Sequence, residues 1–508
     1  MRKQNGRTFF RRIPAVLLAA ALTAALPWGT LAEEEIVEGD FISEETNYLL
    51  LSEPDRTGGG LPVTLEVVTE EALPGEPVFR WYSCDEAGQK DELLAEGGEN
   101  RYRTEAFEEP EIRRYLCEVT AGGETETSEV FTAGYTGLPL IVIQTEDGSP
   151  VEDKDRYLEA GMSLLTRSED EAFSIRIKGR GNATLGYPKK PYTVKLEEKT
   201  KLLGMKKAKK WALLPGYCDK TLLRVSLGFE TSRLLGLAYT PDYRYVDVVF
   251  NGEYAGNYVL TEVVREEAKY LDFTEDGYLV EQVKETEDGP EFFRTEQAGQ
   301  AYEFKYPEDE ELTDSVRTRA AEAMDRMEQA VSGAGKEGTD WQELIDTESW
   351  VNWLLVQNIL ANRDTNYYYY QAEAGAKIAM GPVWDFEWSL GIGWYDGERP
   401  NPEHKFFKQT DLLKKLLKNK PFLTALGKRW EEITPEITDR LIRMMDETAE
   451  EIRVSREMNF LRWDILNEQV GAGGIPLGSY EAELACDQAY LKEHIQWLDG
   501  QIREMCAE

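Results

Sequence analysis

Two acids, Asp364 and Asp385, flank a short hairpin in the second half of the chain. Asp364 follows Ala361-Asn362-Arg363 and precedes Thr365-Asn366 and a run of tyrosines, Tyr367 to Tyr370. A turn around Gly375 leads to Met380-Gly381-Pro382-Val383-Trp384-Asp385-Phe386-Glu387. Phosphoryl transfer needs one carboxylate to orient a hydroxyl nucleophile, and another, with an amide oxygen, to hold magnesium on the phosphates. Asp364 suits the first task, and Asp385 with Asn366 suits the second. In a chain with 95 acidic residues, a lone Asp is ordinarily a solvated loop residue. The neighbours Trp384, Phe386 and Trp388 argue against that here, because a carboxylate set among rings is partly desolvated and held in place.

Phosphates also need cations and close backbone approach. Between Arg176 and Lys210 the chain carries twelve Lys or Arg against only Glu197 and Glu198. Within that stretch, Lys178-Gly179-Arg180-Gly181-Asn182 puts two glycines around a forked cation, so that backbone N–H groups can reach phosphate oxygens. Pro188-Lys189-Lys190-Pro191 follows. The loop is neither a Walker loop nor a Rossmann fingerprint, and by itself it reads first as a tight structural turn. Arg180, Asn182 and Lys190 are its candidate nucleotide contacts. Lys195 on the next strand and Glu230 on the helix after it could form the lysine–glutamate pair that steadies inner phosphates in kinases.

The elements that must place these groups are readable in outline. Leu140 to Gln144, Phe173 to Lys178, Tyr192 to Leu196 and Trp211 to Leu214 read as strands. Asp219 is placed to cap a helix reaching Leu235, with Gly236 ending it. Asn251-Gly252 between Tyr245–Phe250 and Glu253–Thr261 is a strong hairpin signal. Tyr278–Glu281 and Tyr302–Tyr306 add strands. Helices are expected over Val316–Val331 and Trp350–Leu360, with several amphipathic ones after residue 410. A strand-rich part followed by a helix-rich part suggests two lobes with a cleft between them.

The remaining sequence bounds the class. The chain has 508 residues and a formal charge of −37, which disfavours nucleic acid and anionic membranes as partners. Residues 1–32, with Arg2, Lys3, Arg7, Arg11 and Arg12 before an apolar run from Ile13 to Leu26, read as a secretory signal peptide. That run is too short for a comfortable span, and no later segment offers one. Residues 33–45 form an acidic lead. Residues 46–135 alternate in short runs, with Trp81 and then Tyr115-Leu116-Cys117, a pattern similar to an immunoglobulin-like sandwich. Cys84 lies just after Trp81, not on an earlier strand, so the usual bridge is out of place. A disulfide between Cys84 and Cys117 stays open. Five cysteines without Cys-x-x-Cys, and two histidines, exclude a zinc site or a histidine triad as the main chemistry.

Taken in order, the motifs from Leu138 to near the C-terminus resemble the spore-coat protein H (CotH) kinase family. They are Lys178-Gly-Arg-Gly-Asn182, Pro188-Lys-Lys-Pro-Tyr192 with Lys195, and Leu202-Leu-Gly-Met205 through Trp211. Next come Asp219-Lys-Thr-Leu-Leu-Arg224, Leu235-Gly-Leu-Ala-Tyr-Thr-Pro241 and Asn251-Gly-Glu-Tyr254. Ala361-Asn-Arg-Asp364 and Met380-Gly-Pro-Val-Trp-Asp-Phe386 complete the set. The resemblance implies an α+β fold: an atypical protein-kinase-like two-lobed domain over 138–508, strand-rich then helical, behind the all-β module. It implies ATP with Mg2+ or Mn2+, and transfer to Ser or Thr of extracellular, cell-surface or coat proteins. Asp364 matches the family's catalytic Asp and Asp385 its metal-binding Asp. Lys195 and Glu230 are assigned only by order along the chain. Glu387 stands where the family often has a second Asp. Two other readings stay open. Asp385, Glu387 and Glu398 among Trp384, Trp388 and Trp394 would also suit a cell-wall glycan. A non-catalytic surface or coat assembly protein would use the β-module as its working face.

Overall fold

The protein was analysed as a computed structural model, which describes residues 48–68, 73–264, 271–285, 289–308, 311–333, 340–392, 395–396, 399–401, 410–471 and 475–507. The expected signal peptide and acidic lead lie outside the described residues, as do Trp394 and Glu398. The fold is α+β. Its helices among the described residues are α1 (Arg224–Leu235), α2 (Asp314–Ser332), α3 (Thr347–Ile359), α4 (Asp411–Leu416), α5 (Lys420–Glu451), α6 (Arg453–Arg462) and α7 (Tyr480–Ala507). No helix among the described residues is long and apolar enough to cross a membrane.

Contacts divide the chain into two units. The first holds the described residues through Gly179, Tyr245–Tyr258 and Ile452–Trp463. It begins with β1 (Leu49–Leu51), β2 (Thr64–Glu66), β3 (Val78–Cys84), β4 (Lys90–Gly97), β5 (Arg101–Arg103), β6 (Glu111–Ala121), β7 (Glu124–Thr127) and β8 (Phe131–Tyr135). One sheet has the order β1-β8-β6-β3-β4, with β7 beside β6, and β2 pairs with β5. Alternation along β3 and β6 turns Phe79, Trp81, Tyr115, Cys117 and Val119 inward, where they meet Leu65, Val67 and Phe131. Trp81 sits 5.6 Å from Phe131 and stacks at 5.9 Å on Tyr102. Cys117 faces Trp81 across the ladder while Cys84 faces Arg114, and both thiols are free. No Cys84–Cys117 bridge forms because the two residues sit out of register on neighbouring strands.

The same unit continues through β9 (Leu140–Thr145), β10 (Leu158–Leu165) and β11 (Asp170–Gly179), each antiparallel to the next. The expected hairpin is present. Asn251 and Gly252 both have positive φ, 48° and 84°, as its two-residue turn demands. Its strands pin helix α6 through buried polar groups. Asp247 Oδ1 accepts from Tyr254 Oη and from Ser455 Oγ, each at 2.8 Å. Asn257 Nδ2 donates to the same Ser455 oxygen at 2.8 Å. A helix far along the sequence is thereby fixed to a hairpin by hydroxyls that have no water to fall back on.

The second unit carries the candidate site. β12 (Tyr192–Thr200) pairs with β13 (Ala208–Leu214), and β13 with the later residues of β15 (Glu253–Glu262), the strand that follows β14 (Tyr243–Phe250). A separate antiparallel sheet has the order β17-β18-β16-β19-β20. Its strands are β16 (Tyr278–Val283), β17 (Phe292–Arg294), β18 (Ala301–Tyr306), β19 (Tyr368–Gln371) and β20 (Ala379–Met380). The expected change from strands to helices is therefore not clean, because β19 and β20 follow α2 and α3 in sequence yet join this sheet, β19 on β16 and β20 on β19. In α1 the start differs from the expectation. The helix begins at Arg224, and Asp219 instead holds the turn before it, accepting from Thr221 N at 3.0 Å and Arg224 N at 2.8 Å. Gly236 ends the helix at φ 78°, as expected.

The buried Asp247 cluster gives a stability test. Asp247→Ala leaves the Tyr254 and Ser455 hydroxyls without their acceptor, which costs about 1–3 kcal/mol for each buried group. Urea unfolding should show a lower midpoint with an unchanged slope.

Candidate active site

Asp364 owes its position to the end of α3. Asp346 caps that helix, accepting from Glu348 N at 3.2 Å. Its residues from Ser349 to Ile359 are all buried, so its axis is fixed by packing on every side. Past the helix, Ala361 adopts φ 49° and Asn362 is fully buried. The Asn362 amide then makes three bonds. Its Nδ2 donates to Gln357 Oε1 and to the carbonyl oxygen of Asp385, both at 3.0 Å, and its Oδ1 accepts from Asp364 N at 3.3 Å. One side chain thus ties the backbones of the two acids together. Backbone bonds from Arg363 N to Trp388 O (3.0 Å) and Leu390 N to Leu360 O (2.8 Å) close the two segments on each other. The Asp364 carboxylate is left exposed.

Asp385 is placed by its neighbours. It has φ 62°, a conformation that a non-glycine residue rarely keeps unless its surroundings impose it. Phe386 is fully buried, its ring so close to Gly228 of α1 that an added Cβ there would come within 2.1 Å. Trp384 packs at 5.8 Å on Phe229 of the same helix. Farther along, Arg224 donates from Nε to Ser389 O at 3.2 Å. Its guanidinium is itself gripped by Asp219, and by Asp487 of α7 at 2.7 Å. The Asp385 side chain keeps contact with solvent although protein packs closely around it. That crowding, and then the charge of Asp364, raise its pKa to about 6, against a downward pull from Arg180. Arg180 lies 5.3 Å over the Trp384 ring, and its buried Nη1 has no hydrogen-bond partner among the described residues.

The sheet supplies a third group of side chains. Alternation along β19 sends Tyr367 and Tyr369 toward α3, where they meet Trp353 at 5.3 Å and Trp350 at 5.5 Å. Tyr368 takes the opposite face with Glu281, its cross-strand neighbour. Asn366 precedes β19 and shares that parity, and its Nδ2 donates to Glu281 Oε1 at 2.7 Å. Lys305 binds Glu281 at 2.8 Å and Glu303 at 2.7 Å. The charge of Glu281 also acts on Asp385, raising its pKa.

The structure therefore brings together Asp364, Asp385, Arg180 and, through Glu281, Asn366. Asn182 is exposed in its loop, beside Gly181, whose φ of 76° and tight contact with Thr184 require glycine. Lys190 donates to Leu185 O at 2.8 Å, and so ties down its own loop. The expected pairing of Lys195 with Glu230 is not formed. Glu230 binds Arg233 at 2.6 Å on its own helix and lies against Tyr243, while Lys195 sits on β12 opposite Lys210. A lysine–glutamate pair does exist beside the acids, but it is Lys305 with Glu281. Its signal in the sequence was charge inside two strands rich in apolar and aromatic residues, Glu281 in Tyr278–Val283 and both Glu303 and Lys305 in Ala301–Tyr306. Asn362 was quoted in a motif without a role, although a buried amide next to an acid is itself a signal. Glu387 is buried, its Oε1 unpartnered, and burial followed by the charge of Asp385 raises its pKa to about 8.

Residues 175–498, more than half of the chain, match the family model described as CotH kinase protein, and the chain belongs to that family. No curated protein matches it. The donor set fits a hard divalent cation: the Asp385 carboxylate and the Asn366 amide oxygen, with substrate phosphates and water able to fill the remaining positions. Among the described residues, no group of three or more His, Cys, Asp or Glu is arranged to hold an ion. The unpartnered Arg180 Nη1 is a donor suited to a phosphate oxygen.

Two outcomes are expected of this geometry. Asn362→Asp keeps the shape but turns an acceptor toward the Asp385 carbonyl. It should destabilise by about 2–4 kcal/mol and speed amide exchange at Arg363 and Leu390, both read by hydrogen-exchange mass spectrometry. In metal-free protein, Glu387 holds a proton that the unfolded chain releases from pH 4.5 upward. Its contribution to stability therefore falls as pH rises from 4.5 to about 8. Glu387→Gln should flatten the dependence of the urea midpoint on pH across that window.

Proposed function

We propose that this protein is a secreted kinase that transfers the γ-phosphate of ATP to Ser or Thr of extracellular, cell-surface or coat proteins. The observation that carries the reading is the joining of Asp364 and Asp385 by Asn362 within reach of the charge of Arg180. Asp364, exposed, receives the proton of the acceptor hydroxyl as it attacks. Asp385 and Asn366 hold Mg2+ or Mn2+, which neutralises charge on the phosphates when bound. Arg180 supplies phosphate contacts from the glycine-containing loop, with the backbone around Asn182 and with Lys190 bracing that loop. Lys195 stays a candidate nucleotide contact, without Glu230 as its partner. The basic and apolar N-terminal run supports secretion, and the β-module would present a surface to a partner.

Of the rings in the glycan reading, Trp384 is buried and packed on α1, which removes it as a sugar platform, while Trp388 is half-buried and Trp394 lies outside the described residues. The test is incubation of the mature protein with γ-labelled ATP, Mg2+ or Mn2+ and a generic acceptor. Label should pass to the acceptor, and Asp385→Ala should abolish transfer; undiminished labelling by that variant would defeat the assignment. ATP and Mg2+ together should raise the melting temperature, since saturation at 100 times Kd adds about 2.7 kcal/mol to the folded state. Binding without transfer would instead assign the chain to coat or surface assembly.

A further inference from the structure

In the sheet beside the acids, Glu281 and Glu303 are directly opposite each other in register on β16 and β18. Like charges at opposed positions destabilise a ladder. Lys305, two residues past Glu303 and on the same face, relieves this by binding both. All three side chains are largely buried, exposing 14%, 14% and 12% of their surface. Such an arrangement is costly to build and would be replaced by apolar residues without loss of stability, unless one of its members does something else.

Glu281 does something else. Lys305 holds its Oε2, and its Oε1 takes the Asn366 amide nitrogen at 2.7 Å. A carboxylate has no proton to give, so the amide must turn its nitrogen to Glu281 and its oxygen away. The orientation of Asn366 is thus set by the charge of Glu281, and Lys305 sets that of Glu281. An amide oxygen is what a hard cation takes from an asparagine, whereas the amide nitrogen is useless to it. We infer that Lys305 and Glu281 are positioning residues that present the Asn366 oxygen to a divalent cation held with Asp385. The inference rests on the kinase reading of the site and gives the sheet a part in it. Neither residue touches the reacting atoms.

The test is Mn2+ binding to the whole mature protein, followed by electron paramagnetic resonance in the presence of a non-hydrolysable ATP analogue. Partners that orient a ligand typically change metal affinity by 10- to 100-fold when removed. Glu281→Gln should therefore weaken Mn2+ by roughly 10-fold or more, and Asn366→Ala by a similar factor. Combining the two should be no worse than Asn366→Ala alone, because the first acts through the second. A merely structural role for Glu281 would give additive losses. If Glu281→Gln does not fold, Lys305→Gln gives the same reading, since it leaves the bond to Asn366 intact and removes only the cation behind it. A smaller loss in the same direction is expected. Affinity unchanged in the folded variant, or additive losses in the double variant, would overturn the relay while leaving the kinase reading in place. Absence of saturable Mn2+ binding by the wild-type protein would overturn both.

Discussion

The site depends on one buried amide. Asn362 holds the backbone nitrogen of Asp364 with its oxygen and the carbonyl of Asp385 with its nitrogen, while Gln357 fixes its remaining freedom. No charged residue could replace it, because one end must accept and the other must donate. Two segments that would otherwise repel through their carboxylates are thus joined where the main chain is neutral. The side chains are left to be as close, and as negative, as the chemistry asks.

Around that clamp the protein accumulates negative charge and meets it only in part. Asp364 and Glu281 both raise the pKa of Asp385, and Asp385 raises that of Glu387. The compensating cations are few. Arg180 sits over a tryptophan with one nitrogen unused, and Lys305 is already shared between two glutamates. Lys189, which donates to the carbonyl of Pro215 at 2.6 Å, also pulls the pKa of Glu387 down. The balance favours either protons or a divalent ion. This explains why the donors are oxygens throughout and why α1 is recruited as a rigid backing for Trp384 and Phe386. A site under such repulsion keeps its geometry only when packing behind it is tight, and the contact of Phe386 with Gly228 is an instance.

What could be read from the sequence followed from how local each signal was. The two acids, their hairpin and the Asn251-Gly252 turn were legible because neighbouring residues alone fix turn conformation and alternation. The strands over Tyr278–Glu281 and Tyr302–Tyr306 were legible for the same reason, but the register that sets Glu281 against Glu303 was not. Nor was the return of β19 to β16, since the pairing partner lies beyond two helices. The choice of Glu230 as partner for Lys195 failed on geometry: Arg233, one turn along the same helix, reaches Glu230 first. Asp219 was recognised as a cap-type residue, yet it serves the turn ahead of the helix and the Arg224 side chain, which is decided by the arrival of Asp487.

That arrival has a consequence in time. Arg224, which steadies the main chain just after Asp385 through Ser389 O, is itself fixed by Asp487 on a helix that ends at Ala507. A growing polypeptide therefore carries both acids and the glycine-containing loop around Arg180 before it carries the group that locks them. Since chains fold as they emerge, N-terminal portions first, the segment that follows Asp385 is not locked until the helix bearing Asp487 has been made. Prematurely terminated products lack that lock, however much of the acidic pair and its hairpin they contain.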